Sequence, residues 1–196
     1  ESYTNKVKES DLSVFDYKKI KKEDANKLKL FDYPEYNDYF NYNSVIGSND
    51  IHIVKDFNYV NAALSDFKNV RILLCVYDGS KTNIGTGLNQ EAYWIRGNNN
   101  EVVVCVGAVG NEVKWCHVFS WTKAAIVNVK IRDYINDHKA NLNWHNLSVE
   151  CFDIVKSEYK YRDFKEFDYL TVDPETWQIV LVYILTLIVN GIIAYI

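Results

Sequence analysis

Residues 101–119 read EVVVCVGAVGNEVKWCHVF, two apolar runs that meet across Gly110-Asn111. A two-residue step of this kind is a hairpin signal, because glycine and asparagine reach the positive-φ backbone that tight turns between twisted strands require. The spacing predicts strands over 101–108 and 112–119. A symmetric loop sets Cys105 opposite Cys116 at a hydrogen-bonded position. That cross-strand geometry disfavours a disulfide, so two reduced core thiols are expected. Trp115, His117 and Phe119 alternate onto one face, and Cys116 points to the other.

Upstream of the hairpin, residues 70–79 read VRILLCVYDG, a near-continuous apolar run that predicts a strand buried on both faces. The stretch between them, DGSKTNIGTGLNQEAYWIRGNNN, reads as a loop carrying Gly79, Gly85 and Gly87 and then a short helix over 88–96, stopped by Gly97-Asn98. Further upstream, 51–54 (IHIV) is a short strand candidate, and Val54, Phe57, Val60, Ala63, Leu64 and Phe67 follow at helical spacing. Downstream, Ser120 is placed to cap a helix over 121–138 with Ala124, Val127, Ile131, Tyr134 and Ile135 on its inner face. A polar stretch then leads to a last helix over 147–167. Residues 1–49 show scattered aromatics and charges without strand alternation, and suit packing or partner contact. The order helix, strand, helix, strand, strand, helix predicts an α/β domain, a small mixed sheet covered by helices. The expected organisation is an irregular or short-helical region over 1–49, an α/β domain over 50–140, a helical connector over 141–173 and a membrane helix over 174–196.

That last segment includes WQIVLVYILTLIVNGIIAYI at 177–196, without charge, proline or histidine. Its helical length of about 30 Å matches the hydrocarbon core of a bilayer. Asp173 can cap it, Pro174 suits its first turn, and Trp177 and Tyr195 stand where aromatic belts form. The lipid bilayer is thus the expected partner of residues 174–196. Asn190 is an amide in an apolar helix, with Thr186 one turn before it and Gly191 permitting close approach. These three predict contact with another helix, in a homo-oligomer or a larger membrane complex, with hydration of Asn190 near the far interface as the alternative.

The net charge of -4 with no basic stripe argues against nucleic-acid binding. Lysines at 18–19, 21–22, 27 and 29 are interrupted by Glu23 and Asp24 and read as a solvated helix face. The four cysteines all sit in apolar runs without C-x-x-C spacing, which argues against a structural zinc site. The chain has 15 tyrosines, 2 prolines and no methionine. The first two counts suggest an AT-rich coding genome, and the third predicts a removed leader or a fragment.

The best local candidate for chemistry is the end of the 70–77 strand, where open α/β sheets gather ligands. There Asp78 can hold a divalent cation, and the glycines of GTG can bring backbone amides to an anion. The alternative reading is a plain Asp-Gly turn and a flexible loop. No Walker or dinucleotide fingerprint occurs. His117 reads as a satisfied, half-buried side chain, and His52, His138 and His145 lack spaced ligand partners. Glu91 and Glu101 are candidates for pairing in space. Neither a G-x-S-x-G nucleophile nor another catalytic set is visible.

The succession of a helix, RILLCVYDG, a short helix in GLNQEAYWIRG, NNEVVVCVG, EVKWCHVFSW and a final helix resembles the TPM domain over residues 50–140. That is a small α/β module often followed by a C-terminal membrane span. The resemblance implies an exported or lumenal accessory domain, with acid-phosphatase-like activity and divalent-cation binding in some members. Where such domains carry a glycine-rich segment with an arginine and an acid, this chain reads HVFSWTK. The expectation is therefore a single-pass, membrane-anchored accessory or interaction domain without catalysis. A TPM-like metal-dependent phosphatase and a virus-encoded membrane or virion protein are the alternatives. For orientation, Lys156, Lys160, Arg162 and Lys165 before the span favour a cytoplasmic domain. The missing methionine and the resemblance favour an exported or lumenal one, which is the side preferred here. Asn146-Leu147-Ser148 is a glycosylation sequon if the domain is exported.

Overall fold

A computed structural model describes residues 20–34, 44–98, 100–161 and 176–195. They form two units, a domain within 20–161 and a separate helix, α6 (Thr176–Tyr195). The domain contains α1 (Lys22–Lys27), β1 (Val45–Ile46), α2 (Ile51–Lys68), β2 (Arg71–Asp78), α3 (Ile84–Tyr93), β3 (Glu101–Val109), β4 (Glu112–Ser120), α4 (Ile126–Asp137) and α5 (Trp144–Glu158). Its sheet has the order β1-β2-β3-β4, the first three strands parallel and β4 antiparallel. This is the mixed α/β architecture that the apolar runs predict.

The strands at 70–77, 101–108 and 112–119 appear where their patterns place them. β1 was not expected, since two residues carry no periodicity. The register of the hairpin also differs. Gly107 pairs with Trp115 and Ala108 with Val113, which leaves Lys114 as an extra, unpaired residue. This bulge sets Cys105 opposite His117 and Cys116 opposite Val106. Cys105 and Cys116 therefore lie on opposite faces of the sheet, each buried and reduced. Bulk accompanies the bulge: the Trp115 indole covers Gly107, where an added Cβ would stand 1.9 Å from its Nε1. The turn dipeptide specifies only the two residues at the tip.

Four helix boundaries also move. Residues 51–54 are the first turn of α2 rather than a strand, because the Asp50 side chain accepts the His52 N–H and Ile53 joins Phe57, Val60 and Leu64 in the core. α3 begins at Ile84, since Asn83 caps it, so Gly85 and Gly87 lie inside a helix rather than in a loop. α4 starts only at Ile126, because the Ser120 hydroxyl donates to Asn128 and buried Thr122 ties the strand end to Lys160. α5 starts at Trp144 on an Asn143 cap and ends at Glu158, after which Tyr159 is extended and buried.

One face of the sheet packs on α2, α4 and α5 in a large apolar core that includes Phe57, Leu64, Ile131, Ile135, Leu147, Cys151 and Val155. α5 is thus part of the domain's core rather than a connector. The other face carries Leu73, Cys75, Tyr77, Val103, Cys105, Trp115 and Phe119, with Phe31 and Tyr33 from the segment after α1 packed against it.

Candidate functional site

Asp78 stands at the C-terminal end of β2, an inner strand, where the cation was expected. Its Oδ1 accepts from the Ser80 N–H at 3.0 Å and from the Ser80 hydroxyl at 2.5 Å, and its Oδ2 lies 2.7 Å from the Lys81 ammonium. Lys81, then Ser80, hold this exposed carboxyl down at about 2. A lysine occupies the position that a hard cation would take. The GTG segment offers no loop cradle, being the first turns of α3. Among the described residues no group of three or more His, Cys, Asp or Glu side chains is arranged to hold a metal ion.

The densest charged cluster lies elsewhere, between α3 and β4. Glu91 Oε1 accepts from Arg96 Nε at 2.9 Å, and Glu91 Oε2 lies 2.6 Å from His117 Nε2. An ionised carboxylate only accepts, so this assigns the ring proton to Nε2. The Glu91 side chain is 12% exposed and those of Arg96 and His117 are 18% exposed. The fold brings these residues together through a close approach at Gly87. A Cβ there would meet the His117 Cβ at 2.6 Å, so only glycine lets α3 lie this near the strand.

The chain then turns back through three consecutive left-handed residues, Ile95 (φ 50), Arg96 (φ 64) and Gly97 (φ 74). For Ile95 and Arg96 this conformation costs about 1–2 kcal/mol each. It is held by Arg96 N–H to Glu91 O at 3.0 Å, Gly97 N–H to Trp94 O at 2.9 Å, and the Trp121 indole N–H to Ile95 O at 3.2 Å. Beyond the turn is a second buried carboxylate, Glu101, 3% exposed. Its Oε1 accepts from the Tyr33 hydroxyl and its Oε2 from the Asn98 N–H at 3.0 Å. Glu91 and Glu101 thus sit on either side of one turn, each with its own set of donors.

A third polar knot joins the segment after α1 to the sheet. Gln90 Oε1 accepts from the Tyr77 hydroxyl at 2.6 Å and the Phe31 N–H at 2.8 Å, and its amide donates to Phe31 O at 3.0 Å. Desolvation, with Cys105 and Cys75 nearby, pushes the Tyr77 hydroxyl far above its ordinary range. Burial likewise pushes Cys116 up to about 11 and raises Cys105 and Cys151 further, so none of the three is an activated thiol. The geometry therefore offers charge neutralisation, positioned donors and a stiffened turn. His138 is tied within its own turn to Tyr134 O at 2.8 Å, and His145 of α5 lies 3.1 Å from Asp56 of α2.

In α6, Thr186 and Asn190 are one turn apart on a common face, with Gly191 about 100° around the axis. The Thr186 hydroxyl donates to Val182 O at 2.7 Å, inside its own helix. A Cβ added at Gly191 would meet nothing within 4 Å. Asp173 and Pro174, expected to start the helix, lie outside the described residues. Residues 176–193 are apolar and long enough to cross a membrane, and none of that window is buried.

No protein-family model matches the sequence, and no curated protein matches it. Among solved structures, the chain is similar to the N-terminal domain of the cg2496 protein from Corynebacterium glutamicum, determined by solution NMR. The identity is 12% and the TM-score 0.44, over 66% of this chain and 87% of that one.

Proposed function

We propose that the chain is a membrane-anchored accessory or interaction domain without catalysis of its own, held in a bilayer by residues 174–196. The carrying observation is α6, twenty residues of mostly apolar side chains, long and apolar enough to cross a membrane, with none of its spanning window buried. The site chemistry supports the same reading, because Glu91, Glu101 and Asp78 each spend their oxygens on donors of the fold. The order α2, β2, α3, β3, β4, α4 supports the likeness to the TPM domain. Of the sequon, Asn146 is exposed in the first turn of α5, while Ser148 is buried and its hydroxyl donates to His145 O at 2.8 Å.

Alkaline carbonate extraction tests the anchor. The full chain stays with the membrane pellet and a chain ending at residue 173 leaves it; a full chain in the supernatant overturns the proposal. Turnover of a generic phosphoester by the purified full chain, lost in Asp78→Ala, establishes the phosphatase alternative instead. Protease protection in sealed vesicles decides the side: digestion of the domain from the cytoplasmic face ends the exported reading.

A further inference from the structure

The domain has one end at which the chain leaves it, and the chemistry of that end is distinctive. α2 and α5 both finish there, with Lys68 in the last turn of one and Lys156 in the last turn of the other. Phe67 is 59% exposed, packs edge-on to Phe152 at 6.2 Å and carries the Lys156 ammonium 4.0 Å above its ring. Tyr161, 43% exposed, donates its hydroxyl to Lys68 O, and Lys68 donates to Tyr159 O at 2.8 Å. On the other side Lys160 is bonded through its backbone to Thr122 and Lys123. The exit strand is therefore fixed to the domain on both sides up to residue 161. An open groove runs between Ser65–Asn69 and Tyr159–Tyr161. Of the acids at this end, Asp66 lines the groove and Glu158 is neutralised by Lys130 at 2.5 Å.

Residues 162–175 separate this end from α6. That length of chain reaches at most about 50 Å fully extended. The covalent connection therefore keeps the exit end within that reach of an anchored span, a limit that is looser for the opposite end, where Asp78 and the Gly110 turn lie. Exposed aromatic rings with lysines beside them are the composition that settles at a headgroup layer, rings in the interface and ammonium groups among phosphates.

We infer that this end of the domain, bounded by Phe67, Lys156, Lys160 and Tyr161, rests on the phospholipid headgroup surface of the membrane. The inference depends on the anchoring proposed above, and it leaves the Asp78 end facing away from the lipid. The test uses the full chain reconstituted in phosphatidylcholine vesicles containing phosphatidylserine. A spin label is placed at Ser65→Cys, beside the patch, or at Glu112→Cys, on the far hairpin. The four native thiols are buried, so the introduced cysteine takes the label. The expected result is several-fold less collision with a water-soluble nickel chelate at position 65 than at 112, abolished by Phe67→Glu with Tyr161→Glu. Equal, water-like collision at both positions in a carbonate-resistant chain overturns the inference and leaves the anchor standing. Extraction of the chain by carbonate overturns both.

Discussion

Asn61 takes the place of a missing strand neighbour. On the side where β1 has not yet begun, its amide accepts the Ile72 N–H at 2.7 Å and donates to the Ile72 C=O at 2.8 Å, with a further bond to Ser44. Asn61→Ala leaves two backbone groups of a central strand unpaired, and urea denaturation should show a loss of about 2–3 kcal/mol with an unchanged slope. Glu91→Gln removes the carboxylate charge that faces Arg96 in a nearly closed site. Its expected loss is about 2–4 kcal/mol in the same measurement. Asp78 behaves differently because it is exposed. Its folded carboxyl titrates at about 2 against an ordinary 3.8, so its contribution is present above pH 3.8 and lost as the pH falls through about 2. The stability difference between the native chain and Asp78→Asn should vanish below that window, and Lys81→Met should move the carboxyl's NMR midpoint back toward the ordinary value.

At the level of elements, the Lys114 bulge gives a sharper expectation than any substitution. Val113 faces the large core and Trp115 the smaller one, so removing the residue between them restores strict alternation without moving a buried side chain to the wrong face. Deletion of Lys114 should therefore leave a folded domain weaker by about 1–2 kcal/mol. Deletion of Val118 should unfold it, with circular dichroism separating the two. The same comparison shows how far the sequence could be read. β2, β3 and β4 were legible because long apolar runs and a turn dipeptide are local signals. β1 was not, having two residues, and the bulge was not, because the contact that accompanies it, Trp115 over Gly107, forms across the hairpin. Residues 51–54 misled because β-branched side chains suit a strand, until Asp50 caps the helix. The Glu91, Arg96 and His117 cluster was hidden for a similar reason. Its members are adjacent only once α3 lies against β4, and the one local trace was Gly87, a glycine where helix propensity disfavours one.

Across the whole chain, two parts ask for different tests. If the Asn190 amide meets another span, Asn190→Leu should weaken association in bilayers by about 1 kcal/mol. Unchanged oligomer populations would leave Asn190 hydrated near the interface. In the domain, α5 closes the core against α2, which begins more than ninety residues earlier. Truncation after residue 140 should thus expose the faces of Phe57, Leu64 and Ile131 and yield aggregate rather than a smaller folded unit.

The position of α5 also fixes an order of events during synthesis. A ribosome delivers the sheet and its first helices well before α5, so they must wait, partly uncovered, for the last helix of the domain. That helix emerges just ahead of the apolar segment. Completion of the domain and arrival of its most insoluble stretch are therefore close in time, and whatever shields the first from aggregation has to be at hand for the second.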